Sequence, residues 1–156
     1  MNMKTSLTDV SDYLEKVRIP LRLACRTESG WPSILSLWFL YRNGRIYCAS
    51  SASSRVVAYL RSEPRCAFEI AADEMPYCGI RAQAIASLDE GSGADILKAL
   101  LLRYLGGLES SLAKDLLAKS ADEVAIVLKP LQVYTWNFSS RMQDMVSETN
   151  RDRICP

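Results

Sequence analysis

The sequence contains no histidine in its 156 residues. That absence excludes Ser-His-Asp and Cys-His catalysis, histidine-bound zinc and a proximal-histidine haem. A reaction run by this chain has to use carboxylates, tyrosine or lysine for proton transfer, or borrow its chemistry from an organic cofactor. There is also no C-x-x-C pair. Cys25, Cys48, Cys66, Cys78 and Cys155 are odd in number and widely separated, which reads as neither a disulfide framework nor a zinc site. Four of them lie in strand-like stretches as small hydrophobes, and Cys155 is expected as an exposed thiol. No apolar run approaches the ~20 residues needed to span a bilayer. The opening "MNMKTSLTDVSDYLEKV" lacks the apolar stretch of a signal peptide. The expectation is a cytoplasmic protein with no membrane partner. Charge of either sign is not in excess: 19 basic and 18 acidic residues leave +1, which gives no case for nucleic acid. No internal repeat, low-complexity tract or linker occurs.

Hydrophobic residues make up 49% of the chain and charged residues 24%, the composition of an ordinary globular protein. Its length fits one domain, 1–156, able to bury a core without metal or disulfide help. Val10, Tyr13, Leu14 and Val17 keep helical spacing after the possible cap Thr8. Residues 9–18 therefore read as an amphipathic helix in an N-terminal segment 1–20 that stops at Pro20. "LRLACRT" alternates as a strand, "ESG" turns it, and "PSILSLWFLY" reads as a second strand. Asn43-Gly44 in "RNGR" is a strong hairpin signal, leading into "RIYCAS".

A short helix then ends at Pro64. "RCAFEIA" and "YCGIRAQAIASL" make two more strands across "ADEMP". Ser92 is the expected cap of a helix through "ADILKALLLRYL" that stops at Gly106-Gly107, and "SSLAKDLLAK" is a second helix. "EVAIVL" is a buried β-branched run, Pro130 is expected to break it, and "VYTWNF" resumes strand character. Arg81 and Gln83 read as the polar face of their strand, Tyr47 and Tyr77 as packing residues, and the tail 142–156 as flexible or lying over a partner subunit. The fold class is mostly β (α+β): a six-stranded antiparallel split β-barrel with flanking helices, expected to be closed by dimerisation.

The stretch "CASSASSRVVAYL" stands out. Between Ser29 and Ser62 lie Arg42, Arg45, Arg55 and Arg61 and not one acidic residue. Ser50, Ser51, Ser53 and Ser54 crowd the start of the short helix, where a serine hydroxyl serves as a cap. Arg55 opens that helix, and a cation there is unfavourable against the positive helix end. An anion in the same place would resolve the conflict: backbone N–H groups, serine hydroxyls and a guanidinium together form a phosphate site. Helix cap and phosphate cradle are the two readings of the residues.

From about Leu21 to Phe138 the order of "RLACRTESGWPSILSLWFLYRNGRIYCAS", "SSR", "SEPRCAFEI" and "LKPLQVYTWNF" resembles the FMN-binding split-barrel family typified by pyridoxamine 5′-phosphate oxidase. The resemblance implies a homodimer with flavin sites at the subunit interface and a small-molecule substrate. It implies that Ser50, Ser53, Ser54 and Arg55 hold the FMN phosphate, and that Ser36, Leu37 and Trp38 run along the isoalloxazine ring. Trp136 and Arg141 correspond to late residues that approach the flavin or substrate from the partner chain. Two family lysines are replaced here, by Val56 after the Ser-Arg pair and by Trp38 on the second strand, and no lysine occurs between Lys16 and Lys98. The expected function is accordingly an FMN-dependent oxidoreductase other than a pyridoxal-phosphate synthase. A deazaflavin-dependent reductase of the same fold and a flavin-binding protein without turnover are the alternatives.

Overall fold

The structure is a computed structural model that describes residues 2–142, 144 and 154–156. Along the chain run β1 (Asn2–Thr5), α1 (Ser11–Lys16), β2 (Leu21–Arg26), β3 (Pro32–Leu37), β4 (Leu40–Arg42), β5 (Arg45–Ser51) and α2 (Arg55–Ser62). Then follow β6 (Arg65–Ala71), β7 (Cys78–Asp89), α3 (Gly93–Leu105), α4 (Ser111–Ala118) and β8 (Glu123–Asn137). The strands form one antiparallel sheet in the order β3-β2-β6-β7-β8-β5-β4, with β1 also on β8. The sheet has eight strands rather than the expected six, and β3 and β4 at its ends do not close on each other. It is an α+β fold with an open barrel.

Alternation decides which side of each strand is buried. Leu21, Leu23 and Cys25 of β2 and Ile80, Ala82, Ala84 and Ala86 of β7 point inward, while Arg81 and Gln83 face out. Helices α1 and α2 plug the interior through Leu14, Val57 and Leu60. The outer side of β5 and β8 is a second apolar surface, and α3 covers it: Ile96 and Leu100 pack on Leu40 and Ala125. Contact there is close enough that a Cβ on Gly93 would overlap the Glu123 carbonyl. A glycine at the first position of α3 is the sequence's answer to that approach.

Several expectations are corrected. The N-terminal segment is not helical throughout: β1 pairs with residues 133–136 of β8, and α1 spans only Ser11–Lys16. The residue before α1 is Val10, and Thr8 contributes its backbone carbonyl to Ser11 N–H, not its hydroxyl. "PSILSLWFLY" is two strands, because Phe39 turns into the core with no exposed surface and its N–H goes to the Tyr104 hydroxyl. Pro130 does not end β8. It stands beside a bulge at Leu131, where Ala84 faces Pro130 and Gln83 faces Gln132. On the other edge of β8 the pairing with β5 stops at Leu128 and that with β1 starts at Val133, so no ladder bond is asked of the proline. The Ser92 hydroxyl donates to Asp89 at 2.6 Å instead of capping α3.

Cys155 is not a free thiol: it forms a disulfide with Cys78, across a sequence separation of 77. That bond returns the chain end to the first residue of β7. For the remainder of the tail, residues 143 and 145–153, the expected flexibility lies outside the described residues. Other readings hold. Asn43 (φ 50°) and Gly44 (φ 72°) form the hairpin turn, Gly106 (φ 73°) ends α3, and Ser54 caps α2. No helix among the described residues is long and apolar enough to cross a membrane.

Candidate functional site

The serine stretch begins where β5 leaves the sheet. Ser51 is the last residue paired with β8, opposite Glu123, and Ala52 N–H then donates to the Asp122 carbonyl at 2.7 Å. Ser54 N–H donates to the Ser51 carbonyl, closing the turn, and the Ser54 hydroxyl accepts from Val57 N–H as the cap of α2. The other hydroxyls are linked among themselves. Ser50 donates to Ser54 at 2.9 Å, and Ser51 and Ser53 lie 3.0 Å apart. A cap is thus present, and it uses one serine of four.

Arg55 follows as an exposed side chain with no ion pair among the described residues, in a first turn without any acid. Helix geometry leaves the N–H groups of Arg55 and Val56 without acceptors inside α2.

Beside this turn opens a cleft of about 330 Å³. Ser36, Leu37 and Trp38 from the end of β3 form one wall, and Ala49, Ser50 and Ser51 of β5 form another. Leu97 and Leu100 of α3, Leu116 of α4 and Glu123 of β8 complete it. Trp38 is held flat by Tyr104 of α3, with ring centroids 5.0 Å apart and planes 7° from parallel. The Tyr104 hydroxyl in turn donates to the Ile19 carbonyl at 2.9 Å. Among the described residues Glu123 is the one titratable group on the cleft wall. Burial, and to a lesser degree the neighbouring Asp122 carboxylate, hold its carboxyl above the usual value. The arrangement is an apolar slot with a flat aromatic side and a carboxylate acceptor opposite Ser51, and the serine turn beside it leads to Arg55 and the free N–H donors of α2.

Of the sequence-derived residues, Ser36, Leu37, Trp38 and Ser50 meet in this cleft. Ser53, Ser54 and Arg55 are tied to it through the Ser50–Ser54 hydrogen bond. Trp136 and Arg141 are elsewhere. Ser50 pairs with Val124, so Trp136 lies twelve residues further along β8, roughly 40 Å of strand at about 3.3 Å per residue. Trp136 is buried, its Nε1 has no hydrogen-bond partner, and the Arg81 guanidinium sits 5.4 Å from its ring centroid. Arg141 is exposed in a 3₁₀ turn (Ser139–Arg141) with its guanidinium over Phe138.

Glu123, Tyr104 and the leucines of α3 and α4 were missed by sequence reasoning. The only local signal was a carboxylate standing at the head of the buried run "EVAIVL".

No family model matches the chain, and no curated protein matches it in sequence. Solved structures do match in shape. A conserved hypothetical protein of Mycobacterium tuberculosis, Rv2991, superposes with a TM-score of 0.73 at 18% identity, covering 92% of this chain and 90% of that one. An F420 reductase gives 0.67 at 19% identity, over 78% of this chain and 94% of that one. A candidate pyridoxamine 5′-phosphate oxidase of Listeria innocua gives 0.62 at 18% identity, over 85% and 97%. At these identities the likeness shows a shared fold, the antiparallel sheet with its flanking helices.

Proposed function

We propose that the protein is a flavin-dependent oxidoreductase of the pyridoxamine 5′-phosphate oxidase-like type, working on a small molecule, with FMN as its cofactor. The observation that carries this reading is the meeting of two separate sequence stretches at one cleft. Ser36–Trp38 and Ser50 share a cleft, and the Ser50–Ser54 hydrogen bond leads from it to the unpaired Arg55 at the start of α2. The residues suit the three parts of the cofactor. A planar ring fits the slot between the stacked Trp38 and the leucines. A polyol chain meets Ser51 and Glu123. A phosphate suits Arg55 with the free N–H groups of the first helical turn and the Ser53 hydroxyl. The cleft volume lies in the range of small-molecule sites, about 300–1,000 Å³.

A bound flavin supplies hydride transfer. The chain's own groups position and orient: Arg55 fixes the anionic end, Trp38 and Tyr104 set the plane of the slot, and the leucines exclude water. With no histidine in the chain and no lysine on the cleft wall, Glu123 is the group there able to hold a proton.

The same reading makes the working unit a homodimer, in which the exposed Arg141 reaches the cleft of the other subunit while the buried Trp136 stays in its own sheet. Supporting this, the outer side of β3, β2, β6 and β7 exposes Ile34 (72%) beside shallow grooves of about 300 and 320 Å³ that meet at Phe68 and Arg81. Neighbouring Trp31 is 74% exposed. A surface of this kind is expected at a subunit contact. Sedimentation at micromolar concentration should give a dimer; a stable folded monomer would remove that part of the reading.

The likeness to an F420 reductase favours a second reading, a deazaflavin cofactor on the same cradle. Adding FMN and F420 separately to the apoprotein decides between them. A yellow complex absorbing near about 450 nm with FMN supports the first, and saturable binding of F420 alone supports the second. Binding without turnover of any reductant leaves a flavin carrier.

A further inference from the structure

Glu123 is a carboxylate in a cleft otherwise suited to a phosphate-bearing ligand. Its place is fixed from three sides. Its backbone pairs with Ser51 in the last register of β5 and β8, and in an antiparallel ladder such partners project from the same face. Ala52 N–H holds the adjacent Asp122 carbonyl at 2.7 Å. Gly93 at the start of α3 presses on the Glu123 carbonyl so closely that no side chain would fit between them. The backbone cannot swing the carboxylate out of the cleft.

Nor is its charge answered. Among the described residues the Glu123 carboxylate has no ion pair and no hydrogen bond, and the charged group beside it, Asp122, has the same sign. A partly buried carboxylate in that state attracts hydrogen-bond donors and repels anions. Ser51 is directly opposite, but its hydroxyl is engaged with Ser53. A ligand entering the cleft can supply the donors that the protein does not.

We infer that Glu123 makes the part of the cleft beside Ser51 a subsite for neutral hydroxyl groups and bars anions from it. A phosphate-bearing polyol therefore binds with its hydroxyls against Glu123 and its phosphate beyond the serine turn, against Arg55. Opposite charges on the two sides of the serine turn give the ligand one direction of entry. This inference rests on the cofactor reading above, and names the residue that orients the cofactor.

The test is a fluorescence titration of riboflavin and of FMN into the wild-type protein and Glu123→Gln. The substitution keeps the shape and removes the charge. Loss of one like charge within about 10 Å of the phosphate should by itself favour FMN about tenfold. Riboflavin should weaken a few-fold, because an amide oxygen is a poorer acceptor than a carboxylate. FMN carries the same polyol and loses the same contact, so the FMN-to-riboflavin preference rises about tenfold through the phosphate alone, and Glu123→Ala shifts it the same way should the glutamine variant fail to fold. Two flavins that change by the same factor, or not at all, overturn the inference while leaving the cofactor reading intact. A wild-type protein that binds neither flavin overturns that reading, and the inference falls with it.

Discussion

Replacing Tyr104 with phenylalanine should cost about 2 kcal/mol of stability while leaving the wall of the cleft in place. The Tyr104 hydroxyl joins two segments far away in sequence, donating to the Ile19 carbonyl at 2.9 Å and accepting from Phe39 N–H at 3.3 Å. Burial pushes its phenol above the usual range, so the donor proton is retained at neutral pH. Each hydrogen bond contributes roughly 0.5–1.5 kcal/mol net, and its loss here strands a partly buried backbone group on both sides. Unfolding entropy of about 2.1 cal/mol/K per residue gives this chain roughly 0.33 kcal/mol/K, so about 2 kcal/mol lowers Tm by about 6 °C. Thermal unfolding followed by circular dichroism, at one protein concentration and without flavin, measures it. Tyr104→Leu should lose about 0.5–1.5 kcal/mol more, because the stack on Trp38 goes as well. A phenylalanine variant melting within about 1 °C of wild type would refute the bridging role and the account of why β3 and β4 separate.

Under denaturing, non-reducing conditions three thiols should react, those of Cys25, Cys48 and Cys66, and five after reduction; five before reduction contradict the Cys78–Cys155 bond. In the chain-entropy account, closing a separation of 77 is worth up to about 4.5 kcal/mol, so Cys155→Ser should lower the denaturant midpoint markedly. Glu123 has a folded-state value raised above its ordinary 4.5, so its contribution to stability is fully present below that pH and lost as pH rises through the raised value. Glu123→Gln should therefore melt higher than wild type at pH 7, with the gain gone near pH 4; an equal gain at both pH values would contradict this. Ser54→Ala should cost about 1 kcal/mol as a lost cap, whereas the exposed Arg55→Ala should change stability by less than about 0.5 kcal/mol. The two denaturation curves separate cap from cradle.

What could be read from the chain was local. Asn43-Gly44 needs positive φ, Ser54 can reach the third N–H of its own helix, and the alternation in "LRLACR" and "CGIRAQAIASLD" needs only one buried face. What escaped depends on distant partners. "NMKT" carries no strand pattern and becomes β1 because residues 133–136 of β8 need an edge partner. The break at Trp38-Phe39 is imposed by a tyrosine 65 residues away, and Pro130 passes through β8 only because β5 and β1 leave a gap there. No spacing pattern marks the pairing of Cys78 with Cys155. The site divides the same way. Ser36–Trp38 and Ser50–Arg55 were legible through their order in the chain, whereas Glu123 and the leucines enter only once α3 and α4 fold over β5. Trp136 and Arg141 are not at the cleft of their own chain.

Binding of FMN and riboflavin to the wild-type protein and to Arg55→Ala tests the central claim most directly. Wild type should prefer FMN. Loss of the guanidinium should remove a charge-assisted contact of about 1.5–3 kcal/mol, weakening FMN roughly 10- to 150-fold. Riboflavin, without the phosphate, should bind both proteins equally. A preference for FMN that survives in Arg55→Ala, or no preference in the wild type, would contradict the phosphate cradle and leave Ser50–Arg55 a turn and a helix cap.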